Sequence, residues 1–273
     1  MIRFDLSITL DYNVIAPSDY VFIIQPTNTP YQRVTWEQLV TEPAMPAEEE
    51  LHGAAGTPAN RHLRVRVEPG QFKLRYDAIV DLVHHFALPA DLREVPIAEL
   101  PASVLQYIYP SRYCQSDRLL DAARAEFGSM PPGYDRVEAI RKWVQERTKF
   151  QIGSSHVGTS ALDTFECRTG VCRDFAHLMI TMCRALNIPA RYATGYLGDI
   201  GVPKDPAPMD FSAWFEVYLD HQWWTFDARH NKPRIGRVLM ARGRDAVDVP
   251  LTTTFGVATL AKFHIWTEEV AGA

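Results

Sequence analysis

Between Thr169 and Leu186 the chain reads Thr-Gly-Val-Cys-Arg-Asp-Phe-Ala-His-Leu-Met-Ile-Thr-Met-Cys-Arg-Ala-Leu, and its first cysteine is placed where a thiol can do chemistry. A glycine precedes the periodic run and Asn187-Ile188-Pro189 stops it, so the pattern predicts a helix from about Cys172 to Leu186. Cys172, Phe175, Ala176, Met179, Ile180 and Cys183 recur at helical spacing, which puts Cys172 on the first turn of the buried face. The unpaired amides and positive dipole end of a helix stabilise a thiolate, and the same amides can donate to an oxyanion on an attacked carbonyl. That is the setting of a cysteine nucleophile. Taken alone, a cysteine there is as readily a small apolar packing residue, which is how Cys183, in mid-helix, reads. Cys114 and Cys167 have no comparable setting. Cys167 and Cys172 form Cys-x4-Cys without the second Cys or His pair that a zinc site needs, and Cys167 is the nearby partner that a redox-sensing thiol would require.

A second chemical region lies downstream. Ser212-Ala-Trp-Phe-Glu-Val-Tyr-Leu219 and Trp223-Trp-Thr-Phe-Asp-Ala-Arg229 are aromatic and β-branched and are joined by Asp220-His221-Gln222, a hairpin signal. Strand parity groups Ser212, Trp214, Glu216 and Tyr218 on one face. A two-residue connection through Asp220-His221 brings Asp227 onto the face of Ser212, across from Trp214. A three-residue connection instead sets His230 opposite Ser212 and turns Asp227 away. Glu216 and Arg229 are candidates for a cross-strand ion pair, and Asp174 with Arg173 for a first-turn charge arrangement.

The elements that must position these residues fall into two regions. Residues 2–10, 19–25, 63–67 and 72–80 alternate or cluster Ile, Phe, Val and Tyr as strands do, so about the first hundred residues read as mostly β. The acidic, turn-rich stretch 42–60 reads as a mobile loop or crossover between them. Four prolines between Pro89 and Pro110 mark a linker, and His84-His85, with no further ligands nearby, read as surface residues. Beyond the linker, 116–127 and 134–148 carry helical spacing; in the second, Val137, Ile140, Trp143 and Val144 form one stripe.

Composition sets the outer limits. With 273 residues, 47% hydrophobic and 22% charged, this is a globular chain with material for a sizeable core, not a disordered, collagenous or coiled-coil one. A net charge of −5 without a basic run gives nucleic acid or anionic lipid nothing to bind, so neither is expected as a partner. Four unevenly spaced cysteines are too few for a disulfide scaffold, and no apolar window is long enough for a signal core or a membrane span, so a cytoplasmic location is expected.

In these blocks the sequence resembles the transglutaminase-like superfamily of papain-fold proteins, in the bacterial branch with a β-rich N-terminal domain. The resemblance rests on Gly170-Val-Cys-Arg-Asp-Phe-Ala-His177, Ile188-Pro-Ala-Arg-Tyr-Ala-Thr-Gly-Tyr196, Ala213-Trp-Phe-Glu-Val-Tyr218 and Phe226-Asp-Ala-Arg229, in order over about residues 145–240. Pro233 to Asp245 is similar to the C-terminal continuation of bacterial relatives. The resemblance implies an α+β fold: a β-rich N-terminal domain over 1–105, then a papain-like transglutaminase core over 106–273, its helix-start cysteine packed against an antiparallel sheet. It also implies a Cys-His-Asp triad in which Cys172 attacks an amide carbonyl of a peptide or protein and Asp227 orients the imidazole. The family histidine directly precedes Ala-Trp-Phe-Glu, and here that position is Ser212.

A serine hydroxyl cannot act as general base at neutral pH. The candidate explanations are a substitute histidine (His230, or His156 in the loop Gly153-Ser-Ser-His156), a thiolate formed through the helix terminus with Ser212 relaying water, a pseudoenzyme that keeps the cleft for binding, and an engineered substitution. His177 lies about 140° around the helix from Cys172 and reads as a structural histidine. Trp214, near the cleft, is the expected substrate contact; the other aromatics of the hairpin read as packing. The expectation is therefore thiol chemistry on an amide through a Cys172 thioester, as hydrolase or acyl transferase, with Cys172, Ser212 and Asp227 at the catalytic positions and no cofactor, metal or calcium. The competing expectation is a peptide-binding or interaction module.

Overall fold

The computed structural model describes residues 1–53, 59–84, 92–204, 209–230 and 235–270. The chain opens with β1 (Ile2–Val14), β2 (Ser18–Phe22), β3 (Gln32–Glu42), β4 (Ala47–His52), β5 (Asn60–Val67) and β6 (Gly70–Leu82). Helices α1 (Ala102–Leu105), α2 (Leu120–Phe127) and α3 (Tyr134–Arg147) follow, then the short β7 (Lys149–Phe150), α4 (Ala161–Cys167), β8 (Thr169–Gly170) and α5 (Cys172–Ala185). The chain continues with β9 (Ala190–Ile200), β10 (Ser212–Leu219), β11 (Gln222–Phe226) and β12 (Ile235–Gly243), and ends with β13 (Thr252–Phe255) and β14 (Ala258–Glu269).

The N-terminal strands form two four-stranded sheets, ordered β14-β1-β6-β3 and β13-β2-β5-β4. Strict alternation makes their inner faces: Phe4, Leu6, Ile8 and Leu10 of β1 and Leu74, Tyr76, Ala78 and Val80 of β6 are buried. Tyr12 lies 5.0 Å from Tyr20 and 6.2 Å from Phe22 of the other sheet, so aromatic rings fill the space between the layers. Two expectations are corrected. The 42–60 stretch is not simply a loop, because Ala47–His52 is the edge strand β4 paired with β5. The C-terminal strands do not belong to the second domain: β13 pairs with β2 and β14 with β1, so the chain returns to complete the first. Of the His84-His85 pair, His85 lies outside the described residues, as does much of the expected linker's start.

The core is an antiparallel sheet in the order β11-β10-β9-β12. One face, carrying Ala213, Phe215, Val217 and Leu219, shares a core cluster with Phe175, Met179 and Cys183 of α5. Helices α2, α3 and α4 pack around α5, so every residue from Asp174 to Ala185 is buried. The amphipathic pattern predicts a half-exposed helix. Its polar side chains instead find partners inside: Arg184 donates to the carbonyls of Ala190, Tyr109 and Arg244, and Thr181 donates to that of His177.

The other face of the core sheet carries Trp214 and Glu216 and meets the N-terminal sandwich. There two side-chain amides take the place of a paired strand on β12. Gln32 accepts from Leu239 N–H at 2.7 Å and donates to its carbonyl at 2.8 Å, and Asn60 does the same for Arg242 at 2.9 and 2.8 Å.

Candidate active site

The thiol is positioned by the residues on either side of it. Gly170 of β8 lies so close to α5 that a Cβ there would stand 2.7 Å from the Asp174 Cβ. The Asp174 carboxylate, fully buried, accepts from Val171 N–H at 2.8 Å and from the Ser155 hydroxyl at 3.1 Å. Arg173 donates to Ser155 Oγ and to the His156 carbonyl, each at 2.7 Å, tying the 153–156 loop to the helix start. Arg173 and Asp174 thus form the first-turn charge arrangement expected of them.

Cys172, the first residue of α5, is a free thiol. Burial pushes its pKa up, and Asp210 adds to this. The N–H groups of Ala213 and Arg173 and the charge of Arg229 act in the opposite direction without overcoming burial. The sulfur is therefore set against the start of β10, beside Ser212.

Ser212 pairs with Gly195 of β9, and on the other side of Gly195 strand β12 comes so close that a Cβ there would stand 1.9 Å from the Val238 carbonyl oxygen. The Ser212 carbonyl accepts from the Thr194 hydroxyl at 3.2 Å. Its own Oγ is buried and has no hydrogen-bond partner among the described residues. Trp214, two residues on, is 3% exposed and packs with Ala193 and Leu239. Its indole lies in a wall, not at an open face where a substrate contact was expected.

The hairpin register decides where Asp227 goes. Asp220 (φ 46) and His221 (φ 60) both occupy the left-handed region that a two-residue hairpin turn requires. Pairing runs from Leu219↔Gln222 to Phe215↔Phe226, which carries Asp227 onward to the Ser212 face. The three-residue register is not formed, so His230 does not reach the site opposite Ser212. Its partner is Asp227 instead: in the turn after β11, His230 Nδ1 lies 3.0 Å from Asp227 Oδ2. Arg237 Nη2 donates to the same oxygen at 2.6 Å, while Arg229 N–H donates to Oδ1 at 2.9 Å. Burial alone would raise the Asp227 carboxyl; His230 and Arg237 outweigh it and hold the group far below the usual carboxylate range.

The other candidates are placed elsewhere. His156 Nδ1 accepts from Gly158 N–H at 3.0 Å, within its own turn. His177 is buried between the rings of Tyr113 and Tyr192, each 5.1 Å away, and its Nε2 accepts from Ala246 N–H at 3.1 Å. Burial, with Arg173 and Arg184 nearby, holds it well below the ordinary histidine value. The expected Glu216–Arg229 pair is not formed. Arg229 lies over the Phe150 ring at 3.9 Å, and Glu216 binds Arg191 at 2.6 Å and Arg242 at 2.8 Å. Arg237 and the Ala213 amide are site groups that no local pattern marks, because both depend on strand pairing.

Comparisons with known proteins place the family and the fold. A model of the transglutaminase-like superfamily core matches residues 122–228, and one of the bacterial transglutaminase N-terminal domain matches residues 2–103. The crystal structure named "a Putative Cysteine Protease from Cytophaga hutchinsonii" superposes with a TM-score of 0.89 at 36% identity, covering 100% of this chain and 92% of that one. The chain belongs to the transglutaminase-like superfamily. Its core is the papain-like transglutaminase fold, preceded by the β-rich domain of the bacterial members. Uncharacterized proteins of Mycobacterium leprae (31% identical over 120 residues, 41% of this chain) and Mycobacterium tuberculosis (31% over 110 residues, 37%) are also similar to this transglutaminase-like chain. The matches cover 41% and 35% of those relatives' own lengths. Among the described residues of this superfamily member, no helix is long and apolar enough to cross a membrane.

Proposed function

We propose that the chain is a thiol enzyme acting on peptide or isopeptide amides through a Cys172 thioester, with His230 supplying the imidazole absent from position 212. The observation that carries this reading is the contact of His230 Nδ1 with the buried Asp227 carboxylate. It is the relation between acid and ring that the triad mechanism uses, reached from a residue three positions along the chain. A ring whose Nδ1–H is given to Asp227 presents Nε2 as a proton acceptor.

In this mechanism Cys172 Sγ bonds to the amide carbon as its proton passes to the imidazole. Amide N–H groups at the first turn of α5 receive the developing oxyanion. The C–N bond then breaks, the amine leaves with the proton from the imidazole, and a thioester remains on Cys172. Water or an amine attacks it, loses its proton to the ring and releases the thiol. Ser212 leaves room beside the sulfur for the ring or a relaying water. All four cysteines are free, which suits a reducing compartment such as the cytoplasm.

A second reading is favoured by two observations: the thiol pKa is raised, and Ser212 offers a hydroxyl where the family has its base. It makes the chain a peptide-binding module with an inert thiol. Alkylation of Cys172 by iodoacetamide across pH, read by peptide mass spectrometry, separates the two. The enzyme reading expects rapid reaction well below pH ~8.5, the ordinary thiol value, and at least a tenfold loss in His230→Ala. Reaction like a free thiol, switched on by Ser212→His, would replace it with the binding module.

A further inference from the structure

At the seam between the N-terminal sandwich and the core sheet lies a cavity of about 230 Å³, lined among others by Pro30, Tyr31, Arg191, Glu216, Trp223 and Arg242. Strand pairing places Arg191 of β9 and Glu216 of β10 directly opposite one another, so their side chains share a face. Arg242 joins them because of an irregularity. On β12, Leu239 pairs with Gly195 but Ala241 pairs with Thr194, an extra residue that shifts the alternation by one. Without this bulge Arg242 would point to the α5 side of the sheet; with it, Arg242 faces Glu216. Asn60 then fixes the Arg242 backbone through both N–H and carbonyl.

The charges do not balance. Glu216 accepts from Arg191 at 2.6 Å and from Arg242 at 2.8 and 2.9 Å, so two guanidinium groups share one carboxylate and the cluster carries one net positive charge. Arg191 and Glu216 are 4% and 5% exposed, where water screens little. Arg242 Nη1 is buried without a hydrogen-bond partner among the described residues. A buried charged donor left without an acceptor is costly, and a purely structural ion cluster has no need to bear that cost. The Arg191 guanidinium lies 4.0 Å from the Trp223 ring centroid, which fixes its plane.

We propose that this cavity binds a carboxylate carried on an apolar body, the carboxylate against Arg191 and Arg242 and the apolar part against Pro30, Tyr31 and Trp223. A planar carboxylate matches the guanidinium fork, and proline and aromatic walls suit an apolar body better than a hydrated phosphate. The site is separate from the thiol. Glu216 stands four residues along β10 from Ser212, about 13 Å at 3.3 Å per residue, with buried Trp214 between them. The proposal does not depend on Cys172 being reactive.

The test is a thermal-shift titration of the full-length protein with benzoate, acetate and inorganic phosphate, with chloride holding the ionic strength constant. Benzoate is expected to raise the melting temperature saturably, acetate more weakly, and chloride not at all. Glu216→Gln, which takes the cluster from one net positive charge to two, should tighten benzoate about tenfold, and Arg242→Met should weaken it at least tenfold. Thr225→Trp, at the exposed rim, should block it without touching the charges, and serves if Arg242→Met does not fold. The absence of a saturable response in the unaltered protein, or equal responses in all variants, overturns the proposal. Phosphate binding tighter than benzoate overturns the assignment of a carboxylate on an apolar body.

Discussion

Asp227 and Glu216 are buried carboxylates on the same face of one antiparallel sheet, and each is gripped by two nitrogenous side chains. Glu216 holds Arg191 and Arg242. Asp227 holds Arg237 and His230. In both, desolvation pushes the carboxyl up and the partners more than reverse it, bringing Glu216 to about 2 and Asp227 lower still. The difference lies in the second partner. Guanidinium groups keep their protons throughout the accessible pH range, so the Glu216 cluster can attract charge but cannot pass a proton. An imidazole can both accept and donate a proton, so the Asp227 cluster has a means of acid–base work that the Glu216 cluster lacks. One sheet face therefore carries a cluster of guanidinium groups alone at the domain seam and, past the end of β11, one that includes an imidazole.

The largest expected effect tests the second half of that contrast. Asp227→Asn keeps the shape but no longer enforces the Nδ1–H tautomer of His230, and His230→Gln removes the ring. Each should lower Cys172 alkylation or amide turnover at pH 7 by about 10²- to 10⁴-fold. Glu216→Gln should leave both rates within about twofold. Equal losses in all three variants would mean that the clusters act together on the thiol, and the distinction would fail.

Next in size is the cost of unpairing the fixed charges. Glu216→Ala leaves two buried guanidinium groups without their shared carboxylate and should destabilise the protein by about 3–5 kcal/mol, read from urea unfolding. Replacing all three residues by apolar ones of similar volume should recover much of that loss, since desolvation of the ions disappears with them.

Acid titration sharpens the comparison further. Glu216 has a folded pKa of about 2 against an ordinary 4.5, so its contribution is complete above pH 4.5 and is lost as pH falls toward 2. The shift corresponds to about 3 kcal/mol. Asp227 is lowered in the same direction and adds to the same limb. His177 acts earlier and with the same sign on acidification. Its ordinary value is 6.5 and its folded value lies well below, so the unfolded chain takes up the proton first and stability falls as pH drops below 6.5. Urea unfolding across pH should show two limbs, an upper one with a slope of up to about 1.4 kcal/mol per pH unit from His177 and a steeper lower one to which Glu216 and Asp227 both contribute. His177→Phe should erase the upper limb alone.

What the sequence made legible follows from where the determining contacts lie. The α5 start and the strands β1 and β6 are set within a few residues, and the patterns there read correctly, while the hairpin signal left its two registers open until the φ angles of Asp220 and His221 decided between them. The edge strands were not legible: β4 is Ala-Glu-Glu-Glu-Leu-His with every residue exposed, so no hydrophobic alternation marks it. The partners of Glu216 were missed for a different reason. Arg242 reaches that face only through a bulge in β12, and a one-residue shift in register cannot be read from β12 alone. The return of β13 and β14 to the first domain is likewise a long-range pairing without a local signature.

The smallest effect concerns the position where the family and this chain part. The Ser212 hydroxyl is buried without a partner among the described residues, so it loses its hydration on folding and gains little in return. If its task is only to leave space, Ser212→Ala should stabilise the protein by up to about 1 kcal/mol and leave Cys172 reactivity unchanged, because an alanine removes the unsatisfied group at almost constant shape. If the hydroxyl holds a water that carries the proton from Cys172 to His230, the same substitution should slow alkylation near neutral pH and leave its rate at high pH, where the thiolate forms without help, as it was. Urea unfolding together with the alkylation profile distinguishes a hydroxyl that fills space from one that takes part.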